Sequence, residues 1–178
     1  MISTDLLSID TETVSRQLGG REVFISKVVS RCVHGAPQVV LLSPVSYTAV
    51  ATPLWLCCPY LNKKIHALES QGEIKKIEKM ISYDDSLVMQ MQRAHEHYIA
   101  YRKENCNDFF ENNSDSKTKE LYETGIGGIR DTHRLKCLHL AAAHYALCGD
   151  NVAGKTVFEL IGEEKYCTNG ECLLAESV

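Results

Sequence analysis

The chain has no run of about 20 apolar residues, the length a bilayer-spanning helix needs, so it offers no candidate span. It also lacks the basic start and apolar block of an export signal. Its first residues, MISTDLLSIDTETVSRQL, carry Asp5, Asp10 and Glu12 instead. The expectation is a cytoplasmic protein with no membrane partner. There is no basic excess: 19 Lys and Arg against 23 Asp and Glu leave a net charge of −4. That balance argues against a general nucleic-acid binder. No CxxC pair, zinc-finger spacing or internal repeat occurs. The glycine-rich stretch GIGG lacks the GKS/T ending of a P-loop.

What is present suits one folded domain. The 178 residues are 44% hydrophobic and 24% charged, enough to bury a core without covalent staples. Residues 1–162 read as a single α+β domain. Residues 163–178 read as a tail in which Cys167 and Cys172 flank an Asn-Gly turn signal. The other six of the eight cysteines are Cys32, Cys57, Cys58, Cys106, Cys137 and Cys148. In a reducing compartment they point to metal binding, redox chemistry or plain burial rather than to disulfides.

Hydrophobic periodicity outlines the elements. Residues 10–18 read as a short helix ended by Gly19-Gly20. The β-branched segments 22–30 and 38–43, separated by RCVHGAP, predict a hairpin, and PLWLCCP (53–59) a third strand. A small antiparallel three-stranded sheet near the N-terminus, packed with four to six helices, follows. Helical spacing then predicts helices over 60–71, 73–81, 86–103 and 132–148, with a short one at 156–161. The Asn- and Ser-rich stretch 104–120 reads as a mobile loop.

Several chemically able side chains fall at element ends or on one helical face. Cys32 opens the hairpin turn, Cys57 and Cys58 end the third strand, and Cys137 lies near a helix start, where thiolate is favoured. In RLKCLHLAAAHYALC, residues 137, 144 and 148 share a stripe, so His144 is the histidine in phase with Cys137. His139 joins that site only if the helix begins at Leu138. On the 86–103 helix, Met91, His95, Tyr98 and Arg102 share a face that combines a proton donor with an anion clamp. Arg130, Arg134 and Lys136 follow the glycines of GIGG and suit a phosphate or carboxylate. The bland readings are small buried cysteines, a satisfied core histidine with a snorkelling arginine, and a solvated basic turn.

The segments SRQLGG, SRCVHGAPQVV, LWLCCP, AHEHYIAYR, GIGG and RLKCLHLAAAHYAL occur in the order found in a bacterial family. In these pieces, spanning about 130 residues, the chain resembles domain-of-unknown-function family 501. The resemblance selects Cys58 over Cys57, because Cys58 directly precedes Pro59. It implies site roles for Cys32, Cys58, His95, Tyr98, Arg102, Lys136, Cys137, His139 and His144. Where many relatives carry a second cysteine, this chain has His34.

The resulting expectations are threefold. In the first, Cys32, Cys58 and Cys137 hold a [4Fe–4S] cluster with one open iron, for lyase or desulfurase chemistry on a small anionic substrate. His95, Tyr98 and His139 are its catalytic candidates, and Arg102, Arg134 and Lys136 its substrate-binding ones. In the second, the same thiols with His34, His139 or His144 bind a structural zinc ion, and the domain is an interaction module. In the third, Cys58 and Cys137 are a metal-free reactive thiol pair.

Overall fold

The computed structural model describes residues 4–43, 52–112 and 123–173. Helix α1 (Thr4–Gln17) begins earlier than the sequence pattern suggests. It stops where Gly19 and Gly20 take positive φ and Gly20 N–H bonds back to Ser15 O. Strand β1 (Ile25–Arg31) and β2 (Pro37–Leu42) form the expected antiparallel hairpin, and β3 (Leu54–Leu56) pairs with the far edge of β2. The sheet order is β1-β2-β3. At the hairpin turn Cys32 N–H bonds Ala36 O, with Gly35 at φ +85°.

Strand β2 is buried along its whole length, and its period-two alternation divides the molecule. Val39 and Leu41 face the main helical core, whereas Val40 and Leu42 face α1 together with Val14 and Ile25. Cys57 and Cys58 continue the alternation: Cys57 belongs to the α1 side and Cys58 to the helical side. The Arg31 guanidinium ties β1 to α1 through two bonds to Asp10, at 2.8 and 2.6 Å.

The helical layer comprises α2 (Pro59–Ser70), α3 (Glu73–Ser82), α4 (Asp85–Asn112), α5 (Leu138–Cys148) and α6 (Val152–Ile161). With α1 these make six α-helices among the described residues, and the fold is α+β as expected. Pro59 opens α2, where its fixed φ suits the first turn and its missing N–H costs nothing. Helix α4 runs past the expected end at residue 103 and breaks its helical geometry only at Cys106. The expected loop is thus helical to Asn112, and its residues 113–120 lie outside the described ones. The last long helix is shorter than expected. Its first turn starts at Leu138, because residues 132–137 are irregular and Cys137 is extended at φ −162°.

Helix α5 sits at the centre of this layer, with Leu138 and Leu140–His144 all buried. It packs on α6 and on the sheet. Small residues allow the close approach to α6: a Cβ on Gly154 would lie 2.2 Å from Ala141 O and 2.5 Å from Tyr145 Cβ. No helix among the described residues is long and apolar enough to cross a membrane. Gly154→Ala should separate α5 from α6 and destabilise the chain by roughly 1–3 kcal/mol, read as a lowered urea midpoint.

Candidate functional site

The start of α5 is held by a residue from another helix. Glu69, in the last turn of α2, accepts Leu138 N–H at 2.7 Å and faces His139 Nδ1 at 3.2 Å through the same oxygen. An uncapped helix start presents N–H groups with no intrahelical partner, and a carboxylate satisfies them while complementing the helix dipole. His66, one turn before Glu69, brings Nδ1 to 3.9 Å from the other Glu69 oxygen, and its ring lies 4.4 Å from that of His139. One ligand atom from each of His66, Glu69 and His139 falls within 4.8 Å of the others.

His66 and His139 open onto a cleft of about 460 Å³, with Glu69 behind them. Trp55, Leu56 and Leu140 supply apolar wall, and Asn62, Lys136 and Cys137 join the two histidines as its polar part. Burial is the main influence on the Cys137 thiol and pushes its pKa up, against the amides of Leu140 and His139 and the Lys136 cation. Lys136 is itself pressed against Gly127, where a Cβ would come within 2.5 Å of Lys136 Cβ.

A second group lies between α4, α5 and α6. His97 Nδ1 is 3.0 Å from His144 Nε2, and Cys148 Sγ is 3.7 Å from either nitrogen of His144. These three also fall within 4.8 Å of one another. Asn151 decides their chemistry. Its Oδ1 caps α6 by accepting Gly154 N–H at 2.9 Å, so its Nδ2 must be the atom facing His144 Nδ1 at 3.2 Å. An amide N–H donates there, His144 Nδ1 accepts, and the ring proton sits on Nε2, donating to His97. A metal at Nε2 would require the opposite tautomer and set two donors against each other. Burial, then the charges of His97 and His95, hold the His144 pKa down to about 3.

The structure places the sequence candidates on different elements. Cys32 is in the hairpin turn, Cys58 is the residue before α2, and Cys137 is the residue before α5; neither three-residue ligand group contains any of them. Burial also raises the Cys58 pKa, with smaller contributions from Cys172 and Cys167 of the tail. His34 reaches the tail as well, its Nε2 2.8 Å from Cys167 O. His139 does join Cys137 at the cleft, because α5 starts at Leu138. His144 pairs with Cys148, as the helical stripe predicted, rather than with Cys137.

His95, Tyr98 and Arg102 share the buried face of α4. His95 Nδ1 accepts Ile126 N–H at 3.0 Å. Burial keeps the Tyr98 phenol neutral. Arg102 lies over the Tyr98 ring and donates to Thr124 O. Arg134 is exposed beside Glu78, at 3.7 Å, and Lys136 alone of the basic candidates lines the open cleft. Sequence reasoning missed His66, Glu69, His97 and Asn151. The His66-x-x-Glu69 spacing, which stacks two ligand types on one helical face, was the available signal.

The buried neutral imidazoles make stability depend on pH. Below about pH 6.5 the unfolded chain takes up a proton that folded His144 refuses down to about pH 3. Stability is therefore complete above pH 6.5 and falls as the pH drops, by up to about 1.4 kcal/mol per unit for this one group. Burial lowers the His95 pKa too and adds to the slope. Urea unfolding of the wild type between pH 7 and 5 should show this decline, and His144→Gln should flatten it.

A family model described as a protein of unknown function (DUF501) matches residues 28–159. No curated protein and no solved structure matches the chain. The matched span runs from within β1 to within α6, and holds the hairpin turn, the buried face of α4 and the start of α5 with its cleft. Because that span covers most of the chain, the protein belongs to the DUF501 family.

Proposed function

We propose that the chain binds a divalent transition metal, zinc in the first instance, at His66, Glu69 and His139, and that the cleft presents a small anionic substrate to it. The carrying observation is the convergence of three donor atoms within 4.8 Å at the edge of an open cleft. A tetrahedral zinc ion about 2.0–2.1 Å from each N or O donor sets its ligands about 3.3 Å apart. The 3.2 Å between His139 Nδ1 and Glu69 Oε1 already matches that spacing, and His66, largely exposed, closes its 3.9 Å by a side-chain rotation.

Two imidazoles and a carboxylate are the donor set of hydrolytic zinc sites, in which the fourth position stays open for water or substrate. Lys136 lines the cleft as the counter-charge for a carboxylate or phosphate. Such an ion would polarise a substrate oxygen or lower the pKa of its bound water. Burial at Glu69 and His139, each about one-fifth exposed, strengthens the interaction relative to a surface carboxylate cluster.

Zinc titration by calorimetry, with elemental analysis of the purified protein, tests the reading. One equivalent should bind, and zinc at a hundredfold excess over its dissociation constant should add about 2.7 kcal/mol to unfolding stability. His139→Ala and Glu69→Gln should abolish both effects. The amide carbonyl that Glu69→Gln introduces can still accept Leu138 N–H, so this variant should keep its fold. A wild type that neither binds nor gains stability with zinc, iron(II) or manganese(II) excludes the site.

A further inference from the structure

Cys137 also lines a second, much smaller and more enclosed cavity. Its volume is about 10 Å³, and His95, Asn151, Met91 and Ile126 form other parts of its wall. One water occupies roughly 10–15 Å³ of such volume and needs two to four polar partners. His95 is 4% exposed. Its Nδ1 accepts Ile126 N–H, so the neutral ring carries its proton on Nε2. No protein group among the described residues accepts from that Nε2–H. A buried donor without an acceptor is costly, and native structures meet the need with ordered water. The ring cannot easily turn away, because it is pressed against Gly125, where a Cβ would come within 2.1 Å of Nδ1.

We propose that this cavity is a binding site for a single water, held by His95 Nε2–H against Cys137 Sγ, and that His95 is thereby a positioning residue for the cleft. The water accepts from His95 and donates to Cys137 Sγ and to the remaining lone pair of Asn151 Oδ1. Occupied, the cavity leaves the sulfur no room to rotate inward, so the thiol stays turned to the open cleft. A polar core group on α4 thus fixes a reactive group at the start of α5. The inference does not depend on zinc, since neither His95 nor Cys137 is among the proposed ligands.

A crystal structure of the wild type showing ordered waters provides the first test. One oxygen should appear in the cavity within about 2.7–3.2 Å of His95 Nε2. A dry cavity overturns the proposal. The second test is the rate at which iodoacetamide alkylates Cys137, followed by peptide mass spectrometry on zinc-free protein with Cys32 as internal reference. His95→Phe, which cannot hold the water, should slow Cys137 several-fold relative to Cys32. His95→Gln, which keeps a donor, should restore the rate. Equal rates in all three chains would show that His95 does not position the thiol, whatever the zinc titration gives.

Discussion

The cleft depends on one carboxylate reaching across two helices. Cys137 and Leu138 begin α5 with no side-chain cap of their own, and the missing acceptor comes from Glu69 on α2. Because that oxygen is shared with His139 Nδ1, the same contact fixes both the height of α5 and the rotation of its first histidine. Lys136, Cys137 and His139 are consecutive or nearly so. Setting the first helical N–H therefore sets all three side chains at the cleft wall. Glu69 is thus a helix cap as well as a candidate ligand, and the two roles support each other. A capping carboxylate is held in one orientation, which is what a metal ligand needs.

The contrast between the two histidine groups shows why donor proximity alone does not define a metal site. His97, His144 and Cys148 come at least as close together as the cleft group. Their protons, however, are already assigned by a helix cap. Asn151 serves α6 with its oxygen and so presents its amide to His144, which leaves the imidazole proton facing His97. The buried imidazole of His144 thus has a compatible partner at each nitrogen, and the arrangement reads as a polar network between core and surface. At the cleft no buried amide fixes the tautomer: His66 is exposed, and His139 Nδ1 faces the acceptor Glu69.

The sheet, its order and most helices were legible because alternation and helical spacing are properties of local sequence. The hairpin is bounded by RCVHGAP, and β2 alternates between two cores. One boundary that failed, the start of α5, is fixed by a distant contact. Helix α5 starts at Leu138 because Glu69, 69 residues away, caps it there, and nothing within residues 132–137 announces that. The same dependence explains the site. His139 was recognisable only on the condition that the helix began late, and His66 and Glu69 read as the polar face of an ordinary helix. The buried face of α4 was visible in its Met91, His95, Tyr98 and Arg102 spacing. Burial, however, turns Tyr98 and Arg102 into core partners rather than groups aimed at a substrate.

The cysteines at the element ends follow the same logic. Cys57 and Cys58 are consecutive on an extended segment, so they enter opposite cores, and a thiol in either core is pushed towards its neutral form by burial. Cys137 is only half-buried, and it lines both the open cleft and the smaller, more enclosed cavity. It therefore differs from the core thiols in access rather than in acidity. A nitrogen and carboxylate ligand set beside such a thiol favours zinc or iron(II) over the softer ions that several thiolates would select. The sulfur is then left at the cleft wall, where its orientation matters more than its charge. That orientation is set from behind, by the face of α4 that carries His95.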